Sequence, residues 1–232
     1  MSLLDVDDVH TYYGESHILE GVSLAVERDE VVALMGRNGV GKTTTLRTIL
    51  QLTPPRSGRI TYDGADLVGR PTHEVADLGI GWIPEDRRIF SHLTVDENVR
   101  AAIPSADRLA EGRRIAFETF PILEERADQE AGTLSGGQQQ MLAIARGLVG
   151  DNDMLLVDEP SEGLAPQIVA DVADALADVA ADVPMLLVEQ NVRLALDLAD
   201  RFYVLDQGQV VDQGDTSEVS ADSPRLREVL SA

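Results

Sequence analysis

The sequence has 232 residues, enough for one large domain or one domain carrying an inserted subdomain, and its 44% hydrophobic share can build a core, which excludes a disordered chain. It contains no cysteine, which excludes disulfides and thiolate zinc sites. Its 41 acidic residues against 19 basic ones leave a net charge of −22, which argues against a nucleic-acid partner and sets up a field that repels any phosphate ligand.

The first residues, MSLLDVDD, lack a basic n-region and a long apolar stretch, so they do not read as a signal peptide. Ile18–Ala25 reads as a strand, and so does Val31–Met35, which is short and apolar throughout, as in a buried parallel sheet. A glycine-rich loop, Gly36–Lys42, leads into a helix ending near Leu50; strand, glycine loop and helix make one βα unit. Thr53–Gly58 is turn chemistry, followed by strands at Arg59–Tyr62 and Gly79–Ile83. Thr94 and Glu97 fit a capping box that opens a mostly helical, polar stretch from about Asp96 to Gln129. A second helix runs from Ser135 to about Gly150, and Ser135 with Gln138 fits another capping box. Met154–Val157 and Met185–Val188 are again short apolar strands.

Between those two strands, Ile168, Val169, Val172, Ala173, Leu176 and Val179 keep helical spacing, with Asp171, Asp174 and Asp178 on the opposite face. The acids thus fall where a solvated surface is expected, in the manner of proteins from high-salt cytoplasms. The stretch FYVLDQGQVVDQG reads as a hairpin turning at Gln207 and Gly208. Alternating βα units predict an α/β fold with a mainly parallel sheet, and the helical stretch reads as an inserted arm. The apolar runs fall far short of the roughly 20 residues that a membrane span takes, so the chain is expected to be soluble and cytoplasmic.

Residues Gly36 to Thr43, GRNGVGKT, match G-x-x-x-x-G-K-S/T with a strand before and a helix after. Gly36, Arg37, Asn38, Gly39, Val40, Gly41, Lys42, Thr43 and Thr44 are therefore the expected phosphate cradle. Glycines let successive N–H groups turn inward, and the following helix adds the positive end of its dipole. Lys42 is expected to reach the β- and γ-phosphates of ATP, and the Thr43 hydroxyl to ligate Mg²⁺. Lys42 is the only lysine in the chain. Arginine can replace lysine on a solvated surface, but a planar fork does not fit a closed loop that must admit a compact ammonium. Downstream, Asp158 and Glu159 end an apolar strand; Asp158 is expected to hold Mg²⁺ and Glu159 to act as general base on the attacking water.

LSGGQ at Leu134–Gln138, between a phosphate loop and a strand ending in Asp-Glu, resembles the signature of ATP-binding-cassette ATPases, and the resemblance covers nearly the whole chain. It implies a P-loop NTPase core, a mainly parallel sheet flanked by helices, with an antiparallel β subdomain and an inserted helical subdomain. The chain would be a single domain, 1–232, with the core in 1–95 and 151–232 and the helical subdomain in 96–150. It also implies that Ser135, Gly136, Gly137 and Gln138 face the γ-phosphate held by a second subunit, so that each site is composite. Tyr13 sits where the family stacks an aromatic ring on adenine, with Tyr12 as the neighbouring alternative. Glu85 replaces the family's glutamine and remains a possible oxygen ligand for Mg²⁺. Ala165 replaces an aspartate, and Gln190 replaces the switch histidine; it can donate a hydrogen bond to the γ-phosphate but cannot relay a proton, which leaves the base role to Glu159.

The stretches IPEDRRIFSHLTVDENV, LSGGQQQMLAIARGL, DEPSEGLAP and LLVEQN resemble the branched-chain amino acid importer subfamily, with urea-type importers close by. This implies separate membrane permease subunits, a dimer with itself or with a sister ATP-binding subunit, an extracytoplasmic solute-binding protein, and a place on the cytoplasmic face of the membrane. No nucleic acid is expected as a partner. The competing expectation is a non-transport cassette ATPase that works with a soluble assembly scaffold.

Overall fold

The computed structural model describes residues 2–224 and 226. In chain order it contains β1 (Leu4–Tyr13), β2 (Ser16–Val26), β3 (Val31–Met35), α1 (Lys42–Ile49), β4 (Ser57–Tyr62), β5 (Ala65–Asp66), α2 (Thr72–Ala76), β6 (Ile80–Ile83), α3 (Val95–Ala102), α4 (Leu109–Thr119), α5 (Pro121–Glu124), α6 (Gly136–Leu148), β7 (Met154–Asp158), α7 (Pro166–Ala180), β8 (Met185–Glu189), α8 (Val192–Leu198), β9 (Arg201–Asp206) and β10 (Gln209–Asp215). Two sheets form. One is antiparallel, in the order β2-β1-β4-β5; the other runs β10-β9-β3-β8-β7-β6 and is parallel except for β10.

The apolar runs VVALM, MLLVD and MLLVE are buried at every position because the central strands are covered on both faces. Alternate residues serve two cores. Ala33, Met35, Leu155, Val157, Leu187 and Val204 pack with residues of α3, α4, α6 and α7, whereas Val32, Leu34, Leu156, Leu186, Val188 and Leu205 pack with β1, β2 and α1. The larger parallel sheet is thus sandwiched between the helical arm and the antiparallel sheet. Among the described residues no helix is long and apolar enough to cross a membrane.

Both capping boxes form. Thr94 and Glu97 close the start of α3, and Ser135 and Gln138 the start of α6, each pair exchanging side-chain and backbone hydrogen bonds. The hairpin turns where expected, with Gln207 at φ 44° and Gly208 at φ 79°, the left-handed pair that a two-residue turn requires. The helical arm is not one run: it breaks after Ala102 and again at Phe120, beside Pro104 and Pro121, because proline cannot donate to the preceding turn.

α6 meets β6 at a point with no spare room. A Cβ on Gly147 would lie 2.3 Å from Ile83 Cγ1. Gly147→Ala is therefore expected to cost about 1–3 kcal/mol through overpacking, although alanine favours a helix. Urea denaturation of the two proteins measures it; equal midpoints would mean that the helix shifts freely.

Candidate functional site

The parallel register decides what meets at the sheet's carboxyl edge. Met35 pairs with Glu189, and Asp158 with Val188, so β3, β7 and β8 end together. Ligand sites of open α/β sheets form at such an edge. From β3 the chain enters the glycine loop. Gly36 has no space for a side chain, since a Cβ would sit 2.4 Å from the Leu205 carbonyl oxygen, and Gly41 holds φ 115°. Gly41 is also the N-cap of α1 and supplies no side-chain cap, which leaves first-turn N–H groups for an anion.

Lys42 folds back through this loop. Its Nζ donates to the carbonyl oxygens of Gly36 and Arg37, each at 2.9 Å, and pairs with Glu159 Oε1 at 2.9 Å. Both ion-pair side chains are buried. Glu159 itself sits at φ 45°, a strained backbone for a residue that bears a Cβ, and its N–H donates to Val188 O at 2.9 Å. Strain of this kind persists only where the surroundings hold it.

Beside this pair, Thr43 Oγ1 donates to Asp158 Oδ1 at 3.0 Å, while Asp158 Oδ2 is buried without a hydrogen-bond partner. Burial pushes the Asp158 carboxyl up to about 6, and the charges of Glu85 and Glu159 push in the same direction, against the Thr43 hydrogen bond. A hydroxyl and an orphaned, charge-starved carboxylate oxygen side by side are the donor set that a hard divalent cation takes. Among the described residues no cluster of three or more His, Asp or Glu could hold a metal alone.

Tyr13, Gly39, Gly41, Lys42, Thr43, Thr44 and Glu159 line one cleft of about 230 Å³. The two candidate tyrosines separate cleanly. Tyr12 is stacked on His17, ring centroids 4.1 Å apart and planes 3° off parallel, and the Arg56 guanidinium covers it at 4.0 Å. Tyr13 is exposed at the cleft, its hydroxyl accepting from Thr53 Oγ1 at 3.4 Å. Ser135 and Gly136 are exposed at the start of α6, and none of the signature residues lines this cleft. Gln190 and Glu85 are exposed outside the cleft lining, and Ala165 is the N-cap of α7.

Two residues escape a reading of the sequence alone. Glu189 is buried at the end of β8, accepting from the Ser161 N–H at 3.0 Å and from the Asn191 N–H at 2.9 Å. Burial raises its carboxyl above the usual range against those hydrogen bonds. Arg87 links the loop of Glu85 to α6, with Nε donating to Gln140 Oε1 at 3.1 Å and Nη1 to Gln139 Oε1 at 3.3 Å. Both lie in stretches that resemble the importer subfamily, but their partners are on sequence-distant loops, which the local sequence does not reveal.

With this geometry in view, comparison with known proteins is specific. Residues 19–162 match the family described as ABC transporter. The chain is 42% identical over 229 residues to the high-affinity branched-chain amino acid transport ATP-binding protein BraG of Pseudomonas aeruginosa, covering 97% of this chain and 98% of that protein. It is 36% identical over 211 residues to the probable branched-chain amino acid transport ATP-binding protein LivF of Archaeoglobus fulgidus, covering 89% of each. Its fold is similar to the crystal structure of the ADP conformation of MJ1267, an ATP-binding cassette of an ABC transporter, with a TM-score of 0.83, 27% identity, and 99% of this chain and 98% of that one covered. A glycine loop that closes on its lysine, an Asp-Glu strand end and a separate capped LSGGQ helix, on a chain similar throughout to these proteins, make it a member of the ABC transporter family, of the ATP-binding cassette type.

Proposed function

We propose that the chain is the ATP-hydrolysing motor subunit of an importer for branched-chain amino acids or a closely related small polar solute. The single observation that carries this reading is the convergence of Lys42, Thr43, Glu159 and Tyr13 on one cleft that Ser135–Gln138 do not line. The cleft offers half of a site: a loop for the phosphates, a ring for the base and a carboxylate for water. The other half, a helix N-terminus with two glycines, faces elsewhere and suits the nucleotide of a second cassette. Two cassettes would then close around two ATP molecules, and hydrolysis would reopen them.

In the reaction Glu159 takes a proton from water as the water oxygen bonds to the γ-phosphorus and the bond to the β–γ bridging oxygen breaks. Lys42 stabilises charge on the phosphates, and Gln190 at the end of β8 is the residue we assign to γ-phosphate contact. Thr43 and Asp158, with Glu85 nearby, would hold Mg²⁺, which neutralises phosphate charge when bound. ATPase assays across protein concentration test the composite site: the specific rate should rise with concentration as pairs form. A rate independent of concentration down to monomeric protein would overturn it.

The membrane partner has a candidate seat. Trp82, Pro84, Arg87, Arg88 and Arg146 line a groove of about 230 Å³ beside Glu85. Arg88 stacks over Trp82 at 4.5 Å and Arg146 over Phe90 at 4.7 Å, and Phe90 is exposed. A basic, aromatic groove on a chain of net charge −22 suits a permease segment that ends in acids. The permease pair, together with a solute-binding protein outside the cell, completes the proposed system. Phe90→Asp is expected to cost about 2 kcal/mol of docking, roughly 30-fold in affinity, with ATP binding unchanged. Co-purification with the permease reads it; undiminished capture would place the seat elsewhere.

A further inference from the structure

Glu189 lies within the LLVEQN stretch but was given no role there, and it is buried beside the cleft, 1% exposed. Its two oxygens are divided between two loops. Oε1 accepts from the N–H of Ser161, two residues beyond Glu159, and Oε2 from the N–H of Asn191, one residue beyond Gln190. Both loops are further anchored. Glu159 donates its own N–H to Val188 O, and the Asn191 side chain caps α8 by accepting from the Leu194 N–H at 3.3 Å. The segment that carries the proposed base and the segment that carries the proposed phosphate contact are thus tied through one side chain.

We propose that Glu189 is a positioning residue for ATP hydrolysis: it fixes Glu159 and Gln190 relative to one another through a shared carboxylate. The inference rests on the hydrolase reading above. The chemistry requires a carboxylate. Two acceptor oxygens on one rigid planar group can serve two N–H donors from different loops at once, while an amide offers one acceptor and turns two donors toward one of those N–H groups. The strained φ of Glu159 makes the need specific, because a left-handed glutamate relaxes when its surroundings loosen. Relaxation of the base by even an ångström costs rate far more than it costs ATP binding, which Lys42 and the glycine loop supply.

Three full-length proteins test this: wild type, Glu189→Gln and the double variant Glu189→Gln with Glu159→Gln. The single variant is expected to lower kcat about 10- to 100-fold with KM for ATP within about twofold. In the double variant, Glu189→Gln is expected to add nothing to the loss caused by Glu159→Gln, since a positioning residue has no effect once the group it positions is gone. A merely structural role would lower the residual rate further and raise KM. If the glutamine variant does not fold, Glu189→Asp carries the same comparison, keeping both oxygens on a shorter stem; reduced kcat at unchanged KM supports the inference. Equal kcat for wild type and variant, or additive losses in the double variant, overturns it. Absence of ATP turnover in the wild type overturns instead the hydrolase reading on which it stands.

Discussion

Lys42→Ala is expected to abolish nucleotide binding, lowering ATP affinity by at least roughly 100-fold. The lysine ammonium is the buried cation of the cleft, held 2.9 Å from each of two loop carbonyls and 2.9 Å from Glu159. Each charge-assisted hydrogen bond it would make to a phosphate oxygen contributes about 1.5–3 kcal/mol, so two of them account for a factor of that size. The chain's overall charge of −22 works against ATP binding, which raises the relative weight of this one group. The substitution has a second effect: it leaves Glu159 buried without its partner, and breaking a buried ion pair from one side costs about 3–5 kcal/mol. The variant is therefore expected to melt lower even without nucleotide. Titration with a fluorescent ATP analogue separates the two effects; wild-type affinity in the variant would remove the phosphate assignment. Lys42→Arg is expected to fail as well, because the guanidinium fork cannot satisfy the Gly36 and Arg37 carbonyls inside so tight a loop.

The parts of the fold that were legible are those with strong local signals. VVALM and the two MLLV runs announce buried parallel strands by having no polar face, and the two capping boxes mark where α3 and α6 begin. β1 was hidden because its alternation is broken: Asp8 takes φ 49°, and the register with β2 shifts between Val6 and Val9, between Val9 and His10, and again between Thr11 and Tyr12. Each bulge throws the apolar positions onto the wrong parity, so LDVDDVHTYY does not announce itself as a strand although it spans ten residues. α2 and α8 are too short, at five and seven residues, for periodicity to rise above chance, although Asn191 as the cap of α8 was a usable sign. At the site, the loop and the Asp-Glu pair were readable because each is a contiguous motif whose chemistry dictates its residue types. Which of Tyr12 and Tyr13 is free at the cleft was not, since that depends on His17 and Arg56 sandwiching one ring. The partners of Glu189 were invisible for a related reason: they are backbone donors from two loops, and backbone donors have no residue type.

Glu159→Gln is expected to bind ATP, lose about 10²- to 10⁴-fold in kcat, and accumulate ATP-bound pairs of chains. Lys42 and Glu159 form a buried ion pair in the cleft. The ammonium lies 2.9 Å from Oε1, so the carboxylate is engaged by Lys42. Phosphate oxygens entering the loop would compete for the same ammonium and so for the partner of Glu159. Glutamine preserves the shape and one acceptor at that position but cannot take a proton, so the loop still closes on ATP and the chemical step stalls. Its neutral amide also competes less for Lys42 than a carboxylate does, so ATP affinity is expected to equal or exceed that of the wild type. Because two closed cassettes would reopen only after hydrolysis, the stalled state should be seen by light scattering as a dimer that forms with ATP and not with ADP. Turnover at the wild-type rate would assign the base to another residue, whereas a stalled enzyme that stays monomeric with ATP would keep Glu159 as base and remove the composite site.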